Sequence, residues 1–411
     1  MRTNLPAQPA GLLGASEYAL QESINAFSEE LYTNAKKLVN TGIAGADAEI
    51  NTSGETFIGQ LRWKKPLDAK INVISLTDAS EGEKTVMSTD YAKYVKTARS
   101  HGARQVNMAQ IVTQEDGLQK IASDFAETRM QDEHNALFAV LRGVMISEAL
   151  IGTRGSGGQG YDNDPKSATH GFYVDLGATK LIADASAIKQ GAIRAEGFLD
   201  ALGMGFKDYE PEYAYLTVTP RLLASFRSAN LVDQDRVTEG NLEFQTILGG
   251  KFRLINTRQS FNFSTVELDN LNSTNVSTTN SGVDSNAGPD IIGTQCAMII
   301  LPNAISFNQI QVPMPVELER NAASFNGGGT TDLWYRWGYV AHPRGYSWAG
   351  SEDKFVADAD FQKVGTAAEQ LAGNGISLNA GASVLGATTK GAFVRKAQSV
   401  LSLSILPVFH S

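Results

Sequence analysis

Cysteine is nearly absent: the 411-residue chain carries one, Cys296. A single thiol excludes an intrachain disulfide framework and fits a reducing compartment. Histidine is scarce as well. His101, His134, His170, His342 and His410 are scattered, and none stands at ligand spacing from a second His or from the cysteine. No apolar run approaches the ~18 residues needed to span a bilayer. The opening MRTNLPAQPAGLLG lacks the apolar centre of a secretion signal. Basic residues are outnumbered, 35 Lys and Arg against 44 Asp and Glu, for a formal charge of −9. A general nucleic-acid binder needs a basic surface, so DNA would be contained rather than gripped. The expectation is a soluble cytoplasmic protein. The Asn-x-Ser/Thr sites at Asn51, Asn262, Asn272 and Asn275 then read as polar loop composition.

Catalytic signatures are missing too. There is no Gly-x-Ser-x-Gly elbow, zinc motif or dinucleotide fingerprint, and GTRGSGGQGYDND lacks the Gly-Lys-Ser/Thr ending of a phosphate loop. Cys296 lies in the apolar run TQCAMIILP, where a thiol is buried and inert. Asp132-Glu133-His134 is the densest titratable cluster. Consecutive helical residues point apart, so these three do not converge on one ion and read as a solvated face. No catalytic residue, cofactor or metal is expected.

What is present begins with one long helix. Thr113 to Gly152 runs without proline, with Thr113 or Asp116 as candidate N-caps and Gly152 as a candidate C-terminal stop. Its ~33 helical residues would reach roughly 50 Å. Leu118, Ile121, Ala122 and Phe125 form one stripe, and Leu137, Phe138, Leu141, Val144 and Met145 form a second, rotated stripe. Between them, Glu127 to Asn135 is polar apart from Met130. Two offset patches suggest a beam whose ends pack against different parts of the protein.

Around this beam, residues 1–17 read as a flexible arm, followed by a helix from Tyr18 to Val39. Residues 50–110 read as an extended loop or two-stranded excursion with little core of its own, a projection that needs a partner surface. Residues 152–160 read as a glycine-rich joint, HGFYVDLGAT as a strand and Ser186 to Leu202 as a helix. YAYLTVTP, GGKFRLINTR, TQCAMIILP, LWYRWGYVAHPRGYSW and VLSLSILPVF read as strands, RLLASFRSANL as a short helix, and 264–290 as a loop. In Trp334-Tyr335-Arg336-Trp337, strand alternation sets Trp334 and Arg336 opposite Tyr335 and Trp337.

Four segments carry a resemblance. IASDFAETRMQDEHNALFAVLRGVMIS, ILGGKFRLINTR, VPMPVELERNAA and HPRGYSW occur in this order, and FVRKAQSVLSLSILPVF closes the chain. Together they resemble the major capsid proteins of tailed bacteriophages with the Hong Kong 97-type fold, closest in flavour to the schitovirus group of short-tailed phages. The resemblance implies an α+β fold. Its parts would be an N-terminal arm and helix (1–47), an extended loop (48–112), a peripheral domain with the spine helix (113–190), an axial domain (191–310), and a return to peripheral strands and the C-terminus (311–411). It further implies a subunit that self-assembles into pentamers and hexamers of an icosahedral shell around double-stranded DNA, without sequence-specific DNA contacts. Portal, scaffolding and decoration proteins would be partners, with assembly in the host cytoplasm and final location in the virion capsid. The extended loop would lie on the next subunit, which makes Phe57, Arg62, Trp63, Lys64, Tyr91, Lys96 and Arg99 the candidate inter-subunit contacts. Deleting 60–98 should then leave a folded monomer unable to form capsomers. The same fold builds encapsulin compartments, so that reading stays open. A tail or adhesin-like protein would show more β repetition, and an enzyme would need a polar pocket.

Overall fold

The computed structural model describes residues 12–34, 38, 41–53, 56–64, 89–106, 117–152, 174–175, 211–228, 230–239, 242–257, 261, 295–350, 354–362, 392–395 and 403–410. Helix α1 spans Leu12–Asn34 and lies against α2, the long helix Gly117–Gly152. Leu20, Ile24 and Ser28 recur every fourth residue on its buried face. It starts inside the stretch expected to be a free arm: after Pro9, Leu12, Leu13, Ala15 and Glu17 are good helix formers that outweigh the single Gly14.

With 36 residues, α2 is about 54 Å long. Gly152 is its last residue rather than the first beyond it, and residues 153–160, the expected joint, lie outside the described residues. The two-stripe expectation is corrected. Ala122, Phe125, Ala126, Met130, Glu133 and Leu137 form one continuous buried face that runs through the polar middle, where Glu127 stays exposed. From Ala136 to Leu141 and from Val144 to Glu148 every residue is buried, the mark of a helix covered on all sides.

One of the covering surfaces is a five-stranded sheet built on β13 (Thr330–Pro343). Strand β4 (Thr97–Val106) runs antiparallel along one edge of β13, pairing Tyr339 to Thr97 through Thr330 to Val106. Along the other edge, β11 (Ile305–Ile310) pairs with Gly338–Pro343 and β12 (Val316–Asn321) pairs with Thr330–Tyr335. These two are one interrupted strand. Pro313 and Pro315 have no N–H to give, and Met314 between them sits at φ 50°, so pairing lapses there. The two-residue β1 (Ala44–Gly45) adds to β11 in parallel. The alternation expected at 334–337 is observed: Tyr335 and Trp337 are buried, Trp334 is exposed, and Arg336 bonds Glu317 on the outer face.

A seven-stranded sheet has the order β5-β16-β10-β6-β9-β8-β7. Its central strand β6 (Ala214–Val218) is buried at every position and pairs in parallel with β9 (Phe252–Asn256), as a strand covered on both faces should. Strand β10 (Gln295–Ile300) joins β6 to β16 (Ile405–His410), which pairs in parallel with β5 (Val174–Asp175). Strands β7 (Val232–Glu239) and β8 (Leu242–Ile247) close the far edge. Helix α3 (Pro220–Ser228) follows β6. Thr219 Oγ1 accepts from Leu222 N at 3.3 Å, and Pro220 needs no donor at the first helical position.

Two groupings differ from those of the resemblance. The C-terminal strand β16 lies beside β10 rather than with the late strands of β13, and β11, inside the 191–310 range, pairs with β13. The expected strand at HGFYVDLGAT is described only as β5, and the 186–202 helix and the 264–290 loop lie outside the described residues.

The excursion is two things. Its first part is a hairpin, β2 (Ile58–Lys64) with β3 (Thr89–Val95), resting on a small cluster of Ile50, Tyr94, Val340, Leu61 and Ile310. Its second part is β4, which is integral to the main sheet. Little core was expected in 50–110, yet Ala92, Tyr94, Val95, Lys96 and Thr97 are all buried.

A small layer completes α2's cover: β14 (Tyr346–Trp348) paired with β15 (Phe393–Arg395), and the one-turn α4 (Asp358–Phe361). Trp348, Phe361 and Phe393 pack ring against ring. They approach α2 at Gly143, where an added Cβ would collide with the Phe361 carbonyl oxygen and stand 2.9 Å from Phe393 Cε2. In an open helix Gly→Ala gains ~1 kcal/mol. Here Gly143→Ala is expected to lose about 1–3 kcal/mol, because a backbone carbonyl rather than a flexible tip must move. Urea denaturation with an unchanged slope and a lowered midpoint checks it.

Candidate functional site

The seven loop residues divide by position. Arg62 and Tyr91 are register partners across the hairpin, and both are exposed, Tyr91 at 56%. Trp63 and Lys64 follow on β2 opposite Asp90 and Thr89, at the end of the ladder next to residues 65–88. Phe57 sits at the other end, half-buried, with its ring edge-on to Phe355 at 4.9 Å between centroids.

Lys96 and Arg99 differ from these in having polar partners within the subunit. Lys96 is 5% exposed, and its Nζ donates to Ser53 O at 3.2 Å. Burial holds its pKa below that of an ordinary lysine. Arg99 Nη1 donates to Val356 O at 2.7 Å and Nη2 to Asp358 Oδ1 at 2.8 Å, while Nε stands 3.4 Å from Asp132 Oδ1.

Asp132 is thus no surface charge. Its Oδ2 accepts from Trp337 Nε1 at 2.9 Å and from Tyr339 Oη at 3.1 Å. One turn earlier, Arg129 Nε pairs with Glu133 Oε1 at 2.9 Å, and Arg129 Nη1 donates to Tyr335 Oη at 2.8 Å. Glu133 is 1% exposed, a burial that an unpaired carboxylate would not tolerate. His134 Nδ1 accepts from Leu38 N at 3.2 Å and ties α2 to the segment after α1. The three consecutive residues do point apart, as helix geometry requires, but each meets a different partner. The polar middle of α2 is therefore a bonded seam between the helix and β13. Burial, with Asp132 close by, pushes the Tyr339 hydroxyl well above its usual range, so it stays a donor. Burial likewise raises Asp358, with Arg99 opposing and Asp132 adding to the rise.

Two further titratable groups are buried without joining the seam. His342, on the last turn of β13's ladder, is 2% exposed with the Tyr94 ring 6.3 Å away, and burial pushes it down to about 4. Cys296 is buried, its thiol is pushed well up by desolvation, and Sγ lies 3.5 Å from Ala297 O. Such a thiol is inert.

A cavity of about 200 Å³ lies beside α3 and β7–β9. The charged groups on its wall are paired: Arg236 with Glu243 at 3.0 Å, and Arg227 with Gln245 at 3.1 Å. Among the described residues no group of three or more His, Cys, Asp or Glu side chains is placed to hold a metal. No helix among them is long and apolar enough to cross a membrane.

No family model and no curated protein matches the sequence. Among solved structures, the fold is similar to a chain in the capsid of the cyanophage P-SCSP1u, at 9% identity over 73% of this chain and 83% of that one, TM-score 0.40. It is also similar to a chain in the head of Helicobacter pylori bacteriophage KHP40, at 9% identity over 92% of each chain, TM-score 0.44. A third similarity is to the acidic stable capsid of Helicobacter pylori bacteriophage KHP30, at 10% identity over 90% of this chain and 89% of that one, TM-score 0.43.

Proposed function

We propose that the chain is the shell subunit of a tailed-bacteriophage capsid with a Hong Kong 97-type fold, schitovirus-like, assembling through pentamers and hexamers into an icosahedral container for double-stranded DNA. The observation that carries this reading is where the motif segments fall. IASDFAETRMQDEHNALFAVLRGVMIS lies within α2, FRLIN forms β9, VELERN forms β12, and HPRGYSW spans the end of β13 and β14. The resemblance is thus carried by the beam and the sheets that cover it, the parts that hold a shell subunit in shape. In this reading α2 with the β13 sheet is the peripheral domain, the seven-stranded sheet belongs to the axial domain, and the β2–β3 hairpin with 65–88 is the extended loop over the next subunit. A net charge of −9 suits a wall facing a packaged polyanion, which must be enclosed without being trapped. Heterologous contacts that close with curvature are what such a shell requires. Portal, scaffolding and decoration proteins are the expected partners, with assembly in the host cytoplasm. Electron microscopy of the purified protein tests the reading. Closed polyhedral shells are expected; fibres, or small discrete oligomers at every concentration, overturn it.

A further inference from the structure

A thioether has no proton to lose, so its reactivity toward a two-electron oxidant is set chiefly by whether the oxidant reaches the sulfur. Four methionines fall among the described residues. Met130 and Met145 in α2 and Met298 in β10 are buried, at 4%, 0% and 0% exposed. Met314 is 62% exposed. It stands between Pro313 and Pro315 at the break that separates β11 from β12, with φ at 50°. One residue of β13 holds the backbone there: Arg336 Nη1 donates to Met314 O at 3.2 Å, and Arg336 N donates to Pro315 O at 2.7 Å. The two prolines fix their own φ on either side. The exposure of this sulfur is therefore built into the strand break and is not the accident of a loose loop.

We propose that Met314 is a site of reversible oxidation by hydroperoxides, on the outer face of the five-stranded sheet. A lone pair of Sδ attacks the peroxide oxygen that carries hydrogen. An S–O bond forms, the O–O bond breaks, and the proton passes to the departing oxygen. The thioether is oxidised to a sulfoxide by two electrons, and the hydroperoxide is reduced to water or an alcohol. The competing sulfur, the thiol of Cys296, is buried and withheld from the same oxidant. The product sets a polar acceptor in place of an exposed apolar group, on a face that also exposes Trp334 and carries the Arg336–Glu317 pair. With most of its side chain in solvent, Met314 can take up the oxygen without loss of folding stability. Oxygen on Met145 or Met298 would instead disrupt the core. The inference concerns the single subunit and stands whether or not the chain builds a shell.

Dilute hydrogen peroxide on the unassembled full-length chain at neutral pH, followed peptide by peptide by mass spectrometry, tests it. Met314 is expected to gain an oxygen about a hundredfold or more faster than Met130, Met145 and Met298, which react only when the core opens. In concentrated denaturant the four rates should converge, because burial no longer separates them. Chain oxidised at Met314 should melt within about 2 °C of the untreated protein. Methionine sulfoxide reductase should then restore the original mass. A native rate at Met314 no faster than at the three buried methionines overturns the assignment. So does a difference that persists undiminished in denaturant, which would place the cause in local sequence rather than in exposure.

Discussion

Acidification from pH 6.5 to about 4 removes up to about 3 kcal/mol of stability through one side chain, His342. The imidazole is enclosed at the end of β13, and burial disfavours its charged form. The nearby Asp47 and a hydrogen bond with the Tyr346 backbone only partly offset this. The folded pKa of about 4 lies below the ordinary 6.5, so between these values the unfolded chain binds more protons than the native one. The contribution is therefore complete above pH 6.5 and is lost as pH falls through the folded value. Denaturant titrations at pH 7.0, 6.0, 5.0 and 4.5 give the slope, which approaches about 1.4 kcal/mol per pH unit for one proton. Carboxylates titrate in the same window, so the decisive measurement is the difference from His342→Gln. That variant costs stability at pH 7 but flattens the slope below pH 6.5. An equal slope in both proteins shows that His342 is not the group responsible.

The parts of the fold that could be read from the sequence are those whose cause is local. Helix α2 declares itself through an unbroken run of helix formers, and β6, β10 and β13 through β-branched and aromatic runs. Strand β7 does not: VDQDRVTE has four acids or bases in eight residues and reads as loop. It is a strand because β8 offers a partner and because charged side chains are acceptable at a sheet edge. Strand β4 was hidden the same way. TARSHGARQV has hardly an apolar residue, and it pairs over ten positions because β13 is long enough to template it. Ten residues of the supposed loop are thus part of the main sheet, through a contact more than 200 residues away in sequence.

The seam under β13 was misread for a related reason. Charges on a helix show their face but not what covers it. Asp132 looked solvated because its partners, Trp337 and Tyr339, are 205 and 207 residues away. A signal was available. Strand alternation already put Tyr335 and Trp337 on one face, and Tyr and Trp need acceptors for their polar hydrogens where such a face is buried. The only long element with a polar stretch to supply them was α2. Lys96 and Arg99 carried no such signal, because in sequence a cation in a polar segment is the same whether it faces water or, as here, the Ser53 carbonyl or the Asp358 carboxylate.

That correction decides how the loop should be removed. Excising 60–98 takes β3 with its buried Ala92, Tyr94 and Val95, and also Lys96 and Thr97, and is expected to unfold the subunit rather than test assembly. Lys64 and Thr89 are the last register pair of the hairpin, so residues 65–88 can be replaced by Asn-Gly, the pair best suited to a two-residue turn between antiparallel strands. We predict that this variant keeps the wild-type circular dichroism and melts within about 2 °C of it, because Leu61, Ala92, Tyr94 and Val95 are all kept. Closed shells should be absent, with the protein running as small species on a sizing column. Arg62→Ala with Tyr91→Ala, an exposed pair on an intact hairpin, should weaken assembly in part. Normal shells from the Asn-Gly variant would remove the loop from the assembly contacts, whatever the fold. A variant that neither assembles nor melts near wild type would instead mean that 65–88 packs on its own subunit. The separation works because Leu61, Ala92, Tyr94 and Val95, the hairpin's core contacts among the described residues, lie on the near side of the Lys64–Thr89 pair.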